Sequence, residues 1–364
     1  MVIANSIVNN IDIYFGYSNA TFSKQIEYFT GPHSTPSMVT VGILNSDAHL
    51  DIVVANFGTN NIGIFLGLGN GSFISQTEVS TGSSRPIFIS LINLNNDTLL
   101  DIVTVNYGTD SISIFNGYGN GSFSTPITYR TGYDSLPLSL VAGDFNNDNY
   151  LDIAIVNSGT NNIGILIAKS NGTFEKRIFI STGFGSHPHS IAVGHFNDDN
   201  LTDIAVANYG NNNTGVFLSY GNGTFANQTT YSLGSASPYS IGVADFNQDN
   251  RMDIVVINKG QNNTATLIGY GNGRFADPQM NSTGSSSSIS LAIGDLNKDN
   301  RLDMIIVNND TDSIDILLGY FEGFSDPKHY LLYFRAQLAH INITSTPQLC
   351  RNVISLLSKG NSSL

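Results

Sequence analysis

Residues 143–153 read Gly143-Asp144-Phe145-Asn146-Asn147-Asp148-Asn149-Tyr150-Leu151-Asp152-Ile153, and close copies stand at Ala244-Asp245-Phe246-Asn247-Gln248-Asp249-Asn250-Arg251-Met252-Asp253-Ile254 and Gly294-Asp295-Leu296-Asn297-Lys298-Asp299-Asn300-Arg301-Leu302-Asp303-Met304. The last aspartate of the string recurs at Asp51, Asp101, Asp152, Asp203, Asp253 and Asp303, at intervals of 50 or 51 residues. Self-similarity at such a period marks a solenoid, a propeller or a repeat array. One further unit precedes these, because Ile3-Ala4-Asn5 matches Val54-Ala55-Asn56 at an offset of 51. Seven units therefore account for residues 1–330, and residues 331–364 read as a non-repeat C-terminal tail that carries the single cysteine, Cys350.

Within a unit the pattern predicts four short strands, placed in the fourth unit near 139–143, 152–157, 163–167 and 176–180. Each is rich in β-branched or aromatic residues and bounded by Gly, Asn, Asp or Ser, and no helical periodicity interrupts them. The third and fourth strands meet at Asn70-Gly71, Asn120-Gly121, Asn171-Gly172, Asn222-Gly223 and Asn272-Gly273, a dipeptide expected to supply the positive φ angles of a tight hairpin. Hairpin-built repeats without crossover helices favour radial blades, which protect strand edges, over a β-solenoid of shorter repeats. The expectation is an all-β, seven-bladed propeller whose first blade is incomplete. Its missing innermost strand is expected either from residues near 331–343 or from chain upstream of Met1.

Net charge is confined to one class of loop. The nine-residue windows 43–51, 93–101, 144–152, 195–203, 245–253 and 295–303, between first and second strands, hold 16 of the 28 acids but only Arg251, Lys298 and Arg301 of the 15 bases. The whole net charge of −13 thus lies in these loops. Such a balance argues against nucleic acid or an anionic membrane surface as partner and suits a cationic one. Charged residues are only 12% of the chain and no apolar run approaches a bilayer span, so neither a charged disordered chain nor a membrane-spanning helix is indicated. A lone cysteine excludes an internal disulfide framework, and Met1-Val2-Ile3-Ala4-Asn5-Ser6 shows no basic segment leading into an apolar core of the signal-peptide kind.

Alternating oxygen-bearing side chains in a tight turn can converge on a hard cation, with a backbone carbonyl at the seventh position. Three windows have the full set: Asp144, Asn146, Asp148, Asp152 with the Tyr150 carbonyl; Asp245, Asn247, Asp249, Asp253 with that of Arg251; and Asp295, Asn297, Asp299, Asp303 with that of Arg301. Oxygen donors without Cys or His select calcium over zinc or copper. Asn93, Asn95, Asp97 and Asp101 keep every donor but lose a charge, which predicts a weaker fourth site. His195 and Ile43 replace the first acid in the two remaining loops, which are expected to fold without metal.

The three full strings resemble the FG-GAP repeats, also called VCBS repeats, of integrin α-subunit propellers and of many secreted proteins. The resemblance covers about 330 residues and implies a seven-bladed propeller with calcium in the loops joining first to second strands, on the lower face. Asn149, Asn250 and Asn300 stand where that family often has Gly, a replacement that Asn allows at positive φ. Abundant Asn-x-Ser/Thr sequons and weak calcium sites fit an extracellular or cell-surface glycoprotein.

Function does not follow from the fold. The first reading is a non-catalytic adhesion or protein-interaction module that uses the upper face, opposite the metal loops, with contacts at Tyr107, Tyr133, Asp134, Phe184, His187, Tyr209 and Lys259. Alternatives are a glycan-binding lectin or an accessory propeller of a polysaccharide-degrading enzyme. A lectin with equivalent pockets predicts the same aromatic in every unit, whereas Phe57, Tyr107, Ser158, Tyr209, Lys259 and Asn309 vary at one equivalent position, which favours a single central site.

Overall fold

A computed structural model describes residues 1–23, 26–309, 311, 313–322, 331–337 and 354–355. They form seven four-stranded antiparallel sheets, the blades, numbered here in chain order. Blade four is typical: Pro137–Gly143, Asp152–Asn157, Asn162–Ala168 and Phe174–Ser181 follow one another from the inside out. The sequence placed these strands correctly but drew the first, third and fourth too short.

The second strands, such as Asp51–Asn56 and Asp152–Asn157, are buried along their whole length because both faces of each lie against neighbouring blades. Fourth strands such as Ile127–Arg130 are largely exposed. The core is correspondingly divided into seven apolar clusters, one at each seam. Ile3 and Tyr14 of blade one join Ile305, Val307 and Ile314 of blade seven in one of them, so the ring closes.

Blade one takes Val2–Asn5, Asn10–Ile13 and Ile26–Phe29 from the start of the chain, and Ile354–Ser355 pairs with the inner edge of Val2–Asn5. Residues 331–337, expected to fill that gap or to begin a separate tail, instead pair with Ser313–Glu322 as the outermost strand of blade seven. The apolar run Leu331–Phe334 satisfies the open edge nearest to it in sequence, where loop closure costs least. Cys350 lies outside the described residues.

The hairpin turns depart from expectation in detail. Positive φ falls on Gly69 and Gly71, on Gly119 and Gly121, and on their equivalents, but not on the intervening Asn. The Asn instead spends its side chain on an Asx turn: Asn70 Oδ1 accepts both the Ser72 N–H and hydroxyl. No helix among the described residues is long and apolar enough to cross a membrane.

Candidate functional site

Antiparallel order places the acidic loops and the Asn-Gly hairpins on one face of the ring, called lower, and the second-to-third and blade-to-blade connections on the other. On the upper face, each turn residue at Asn9, Asn60, Asp110 and Asn161 is left-handed and accepts, through its side chain, the N–H of Thr35, Arg85, Leu136 or His187 in the following blade. Proline follows each of these four residues and opens the next innermost strand. In six blades the register of that strand slips just inside its first residue, leaving one residue unpaired. β-Bulges of this kind re-aim a side chain beside functional sites. Here the unpaired residues Ser37, Ile87, Leu138, His189, Tyr239 and Ile289 all line the mouth of the central channel.

That channel mouth is a cavity of about 410 Å³, apolar over much of its wall through Ile87, Leu138, Ile191, Ile241, Ile289 and Leu291, with serines concentrated on one side. The next position inward is Met38 and Phe88 in blades two and three but Ser139, Ser190, Ser240 and Ser290 in blades four to seven. Phe57 and Tyr107 extend the apolar half upward. Ser139, Ser240 and Ser290 have no protein hydrogen-bond partner among the described residues, so their hydroxyls are open to a ligand or water. At the border His189 stacks on Tyr239 with ring centroids 3.7 Å apart and holds its carbonyl through Nδ1 at 2.8 Å. The Lys259 ammonium lies 4.3 Å from the Tyr239 ring centroid, and Tyr209 meets the same ring edge-on.

Of the upper-face residues singled out from sequence, Tyr107 lines the channel and Tyr209 and Lys259 support its wall. The remaining four are not in the lining. Tyr133 and Phe184 are 88% and 100% exposed, Asp134 donates its N–H to Asp110, and His187 reaches the Ser158 carbonyl. Sequence reasoning missed His189 and Tyr239 as wall residues. The available signal was their place one residue after Pro188 and Pro238, but a bulge is not visible in a repeat that keeps its spacing.

In the acidic loops the ninth aspartate behaves identically in all six windows. Asp152 accepts the Phe145 N–H on Oδ2 and the Ala168 N–H on Oδ1, at 3.0 and 2.7 Å, and so clamps first strand, second strand and the end of the third together. Asp51, Asp101, Asp203, Asp253 and Asp303 make the same two bonds. All six are fully buried. The clamp persists where Ile43 or His195 has removed the first acid, so its presence is independent of a complete oxygen set.

The first acid marks a different distinction. Asp144 Oδ1 and Asn146 Oδ1 converge on the single N–H of Asp148, and Asp144 Oδ2 takes the N–H of Asn149. The Asp245 and Asp295 loops repeat this arrangement, with Asn149, Asn250 and Asn300 at φ of 66°, 64° and 63°. Tyr150, Arg251 and Arg301 donate their N–H groups to Asp148, Asp249 and Asp299. In the weaker set Asn95 still binds the Asp97 N–H, but Asn93 Oδ1 is buried without a partner. Among the described residues no three His, Cys, Asp or Glu side chains are grouped to hold a metal ion, since the third carboxylate of each full loop is turned into its clamp. One carboxylate and an amide oxygen brought together on the Asp148 N–H, with the Asp148 carboxylate beside them in the same turn, remain a donor set that fits a hard divalent cation.

Burial raises the clamp carboxyls: Asp253 to about 7, with Asp249 and Asp245 adding to the rise against its two N–H bonds, and Asp152 and Asp203 to about 6. A carboxyl whose folded pKa exceeds its unfolded value lends stability that is full below the unfolded value of about 4 and lost as pH rises through the folded one. Without metal, the melting temperature is therefore expected to fall between about pH 4 and pH 7, read by calorimetry in chelator; a flat or rising profile would refute this assignment.

Residues 93–155, 144–206, 195–256 and 245–306 match the model of the FG-GAP-like repeat, together more than half of the chain. A search of curated protein sequences found no match. Similar solved structures include a periplasmic gluconolactonase of Pseudomonas aeruginosa, 15% identical over 97% of this chain and 98% of that one, with a TM-score of 0.71. An Agrocybe aegerita lectin described as recognising non-reducing terminal N-acetylglucosamine is 16% identical over 92% and 89%, TM-score 0.63. Virginiamycin B lyase of Staphylococcus aureus is 15% identical over 84% and 85%, TM-score 0.56. At these identities the likeness is one of fold, and it spans both binding proteins and enzymes.

Proposed function

We propose that this chain, which belongs to the FG-GAP-like repeat family, is a calcium-stabilised binding propeller, extracellular or cell-surface, that receives its ligand at the upper mouth of the central channel. The observation that carries the reading is a largely apolar channel wall on which Met38, Phe57, Phe88 and Tyr107 stand on one side and Ser139, Ser190, Ser240 and Ser290 gather on the other. A pyranose has the matching form, an apolar ring face that stacks on aromatics and a rim of hydroxyls. The end of a glycan is thus the best-fitting ligand. Among the described residues the lining holds no carboxylate, lysine or cysteine, and its imidazole, His189, is engaged with the Tyr239 ring and carbonyl, which supports binding over catalysis.

Calcium belongs in the loops of Asp144, Asp245 and Asp295, with Asn93, Asn95 and Asp97 as a weaker fourth site. Bound there it supplies a divalent charge that offsets the crowded carboxylates, on the face away from the ligand.

A glycan array on the purified protein, followed by titration of the best hit, tests the reading. Tyr107→Ala and Ser240→Val are each expected to weaken binding roughly tenfold, the scale of one aromatic or hydrogen-bonded contact, with the melting temperature nearly unchanged. A blank array, or a hit indifferent to both substitutions, would sink it. The exposure of Tyr133 and Phe184 on the same face favours a protein partner as the second reading. In that case Tyr133→Ala combined with Phe184→Ala abolishes capture and the Tyr107 substitution does not.

A further inference from the structure

The lower face carries a feature that neither the channel nor the calcium loops use. The residue that opens each third-to-fourth-strand hairpin is Tyr17, Leu68, Tyr118, Tyr220 or Tyr270 in five blades, 51–63% exposed. Blade four has Lys169 there, paired with Glu175 at 2.8 Å. The four tyrosine side chains make no ring contact or hydrogen bond among the described residues. A tight hairpin does not need them, since its glycines and its Asn supply the turn. Repeated large aromatics left in water call for a partner.

The hairpins of Tyr118, Tyr220 and Tyr270 are each seated between two of the acidic loops. Gly121 donates its N–H to the Leu44 carbonyl of the 43–51 loop, while a Cβ on Gly119 would stand 2.7 Å from Leu99 in the 93–101 loop. Gly223 bonds the Phe145 carbonyl and Gly221 abuts Leu201. Gly273 bonds the Phe196 carbonyl of the 195–203 loop, and a Cβ on Gly271 would meet Asp198 Oδ2 of that loop at 2.8 Å and Arg251 Nε of the 245–253 loop at 2.9 Å. Tyr118, Tyr220 and Tyr270 therefore alternate with acidic loops. With the six clamps buried and the carboxylates of the Asp144, Asp245 and Asp295 loops given to calcium, the exposed Asp47, Asp97, Asp198 and Asp199 stand in the loops beside these hairpins, while Arg251, Arg274, Lys298 and Arg301 are the bases of the same face.

From this alternation of exposed tyrosines and carboxylates we infer that the lower face is a docking surface for an arginine-rich segment of a partner protein. A guanidinium can lie flat on a tyrosine ring while its N–H groups reach the adjacent carboxylate, a combination that ammonium, with its point charge, matches less well. The ring of repeats offers the same pair several times, so successive arginines of one segment can be held together.

The test is a fluorescence-anisotropy titration of the full chain, in millimolar calcium, with a labelled arginine–glycine repeat peptide. Wild type is expected to bind, and the combined variant Tyr118→Ser, Tyr220→Ser and Tyr270→Ser to bind at least about tenfold more weakly. The matching Phe variants keep the affinity and control for folding. Undiminished binding by the Ser variant would reduce the interaction to unspecific charge attraction and overturn the inference. So would a peptide footprint on the upper face in hydrogen exchange, or a lower face that takes a neutral oligosaccharide in place of the peptide.

Discussion

Replacement of Asp203 by alanine is expected to cost about 2–6 kcal/mol of folding stability, because the buried N–H groups of Phe196 and Ser219 each lose their acceptor at about 1–3 kcal/mol. Against a typical domain stability of roughly 5–15 kcal/mol this is enough to unfold a marginal protein. Asp203 is the informative position, since His195 has displaced the first acid of its loop and turns Nδ1 to the Leu201 carbonyl, so loss of metal does not enter. Asp199→Ala in the same exposed loop is expected to change stability by less than about 1 kcal/mol. Asp203→Asn should fall between the two, keeping one acceptor and opposing the second N–H with another. Urea denaturation midpoints rank the three; equal midpoints for Asp203→Ala and Asp199→Ala would mean that the clamp contributes nothing.

Chelation is the second large effect expected. If free calcium stands a hundredfold above the dissociation constant, each occupied loop adds about 2.7 kcal/mol to folding, and three add about 8 kcal/mol. Removing calcium should lower the melting temperature markedly, and less so once Asp148→Ala, Asp249→Ala and Asp299→Ala are combined. Those three carboxylates accept only N–H and amide bonds from within their own loops, so the triple variant should still fold. Asp47→Ala should leave calorimetric calcium stoichiometry unchanged, its loop having Ile43 in place of an oxygen donor. Titration at millimolar calcium without heat would overturn the metal reading, and the loops would then be acid-rich turns.

The ring was legible in the sequence because its information is periodic. Asp51 to Asp303 recur at the length of one blade, and the strands between them alternate with turn residues in every copy. Chemistry at single positions was harder to read. Asp101 and Asp203 were grouped with their neighbours as ligands or would-be ligands, although they remain where Asn93 or His195 has already eroded the set. That persistence was the sign of a structural duty, and only the bonds to Gly117 and Ser219, 16 residues away, reveal which. The channel wall was hidden for a geometric reason. A bulge adds a residue to one strand without altering the period, so nothing in the repeat marked His189 and Tyr239 as wall residues. Tyr17, Tyr118, Tyr220 and Tyr270 were in plain view as a repeated residue, but the sequence did not tell which face they share with the acids.

The side-chain bonds that Asn9, Asn60, Asp110 and Asn161 extend to the next blade all run in the same chain direction. A junction of this kind belongs to two successive units and to nothing else in the molecule. Duplicating or deleting a whole repeat at one of these junctions leaves each surviving contact with the type of neighbour it already had. Gene-level gain and loss of units is therefore tolerated locally, and the number of blades is chosen by the angle at which the circle meets itself. Such a lineage can change its circumference, and with it the bore of the channel, in a single step and without inventing a new interface.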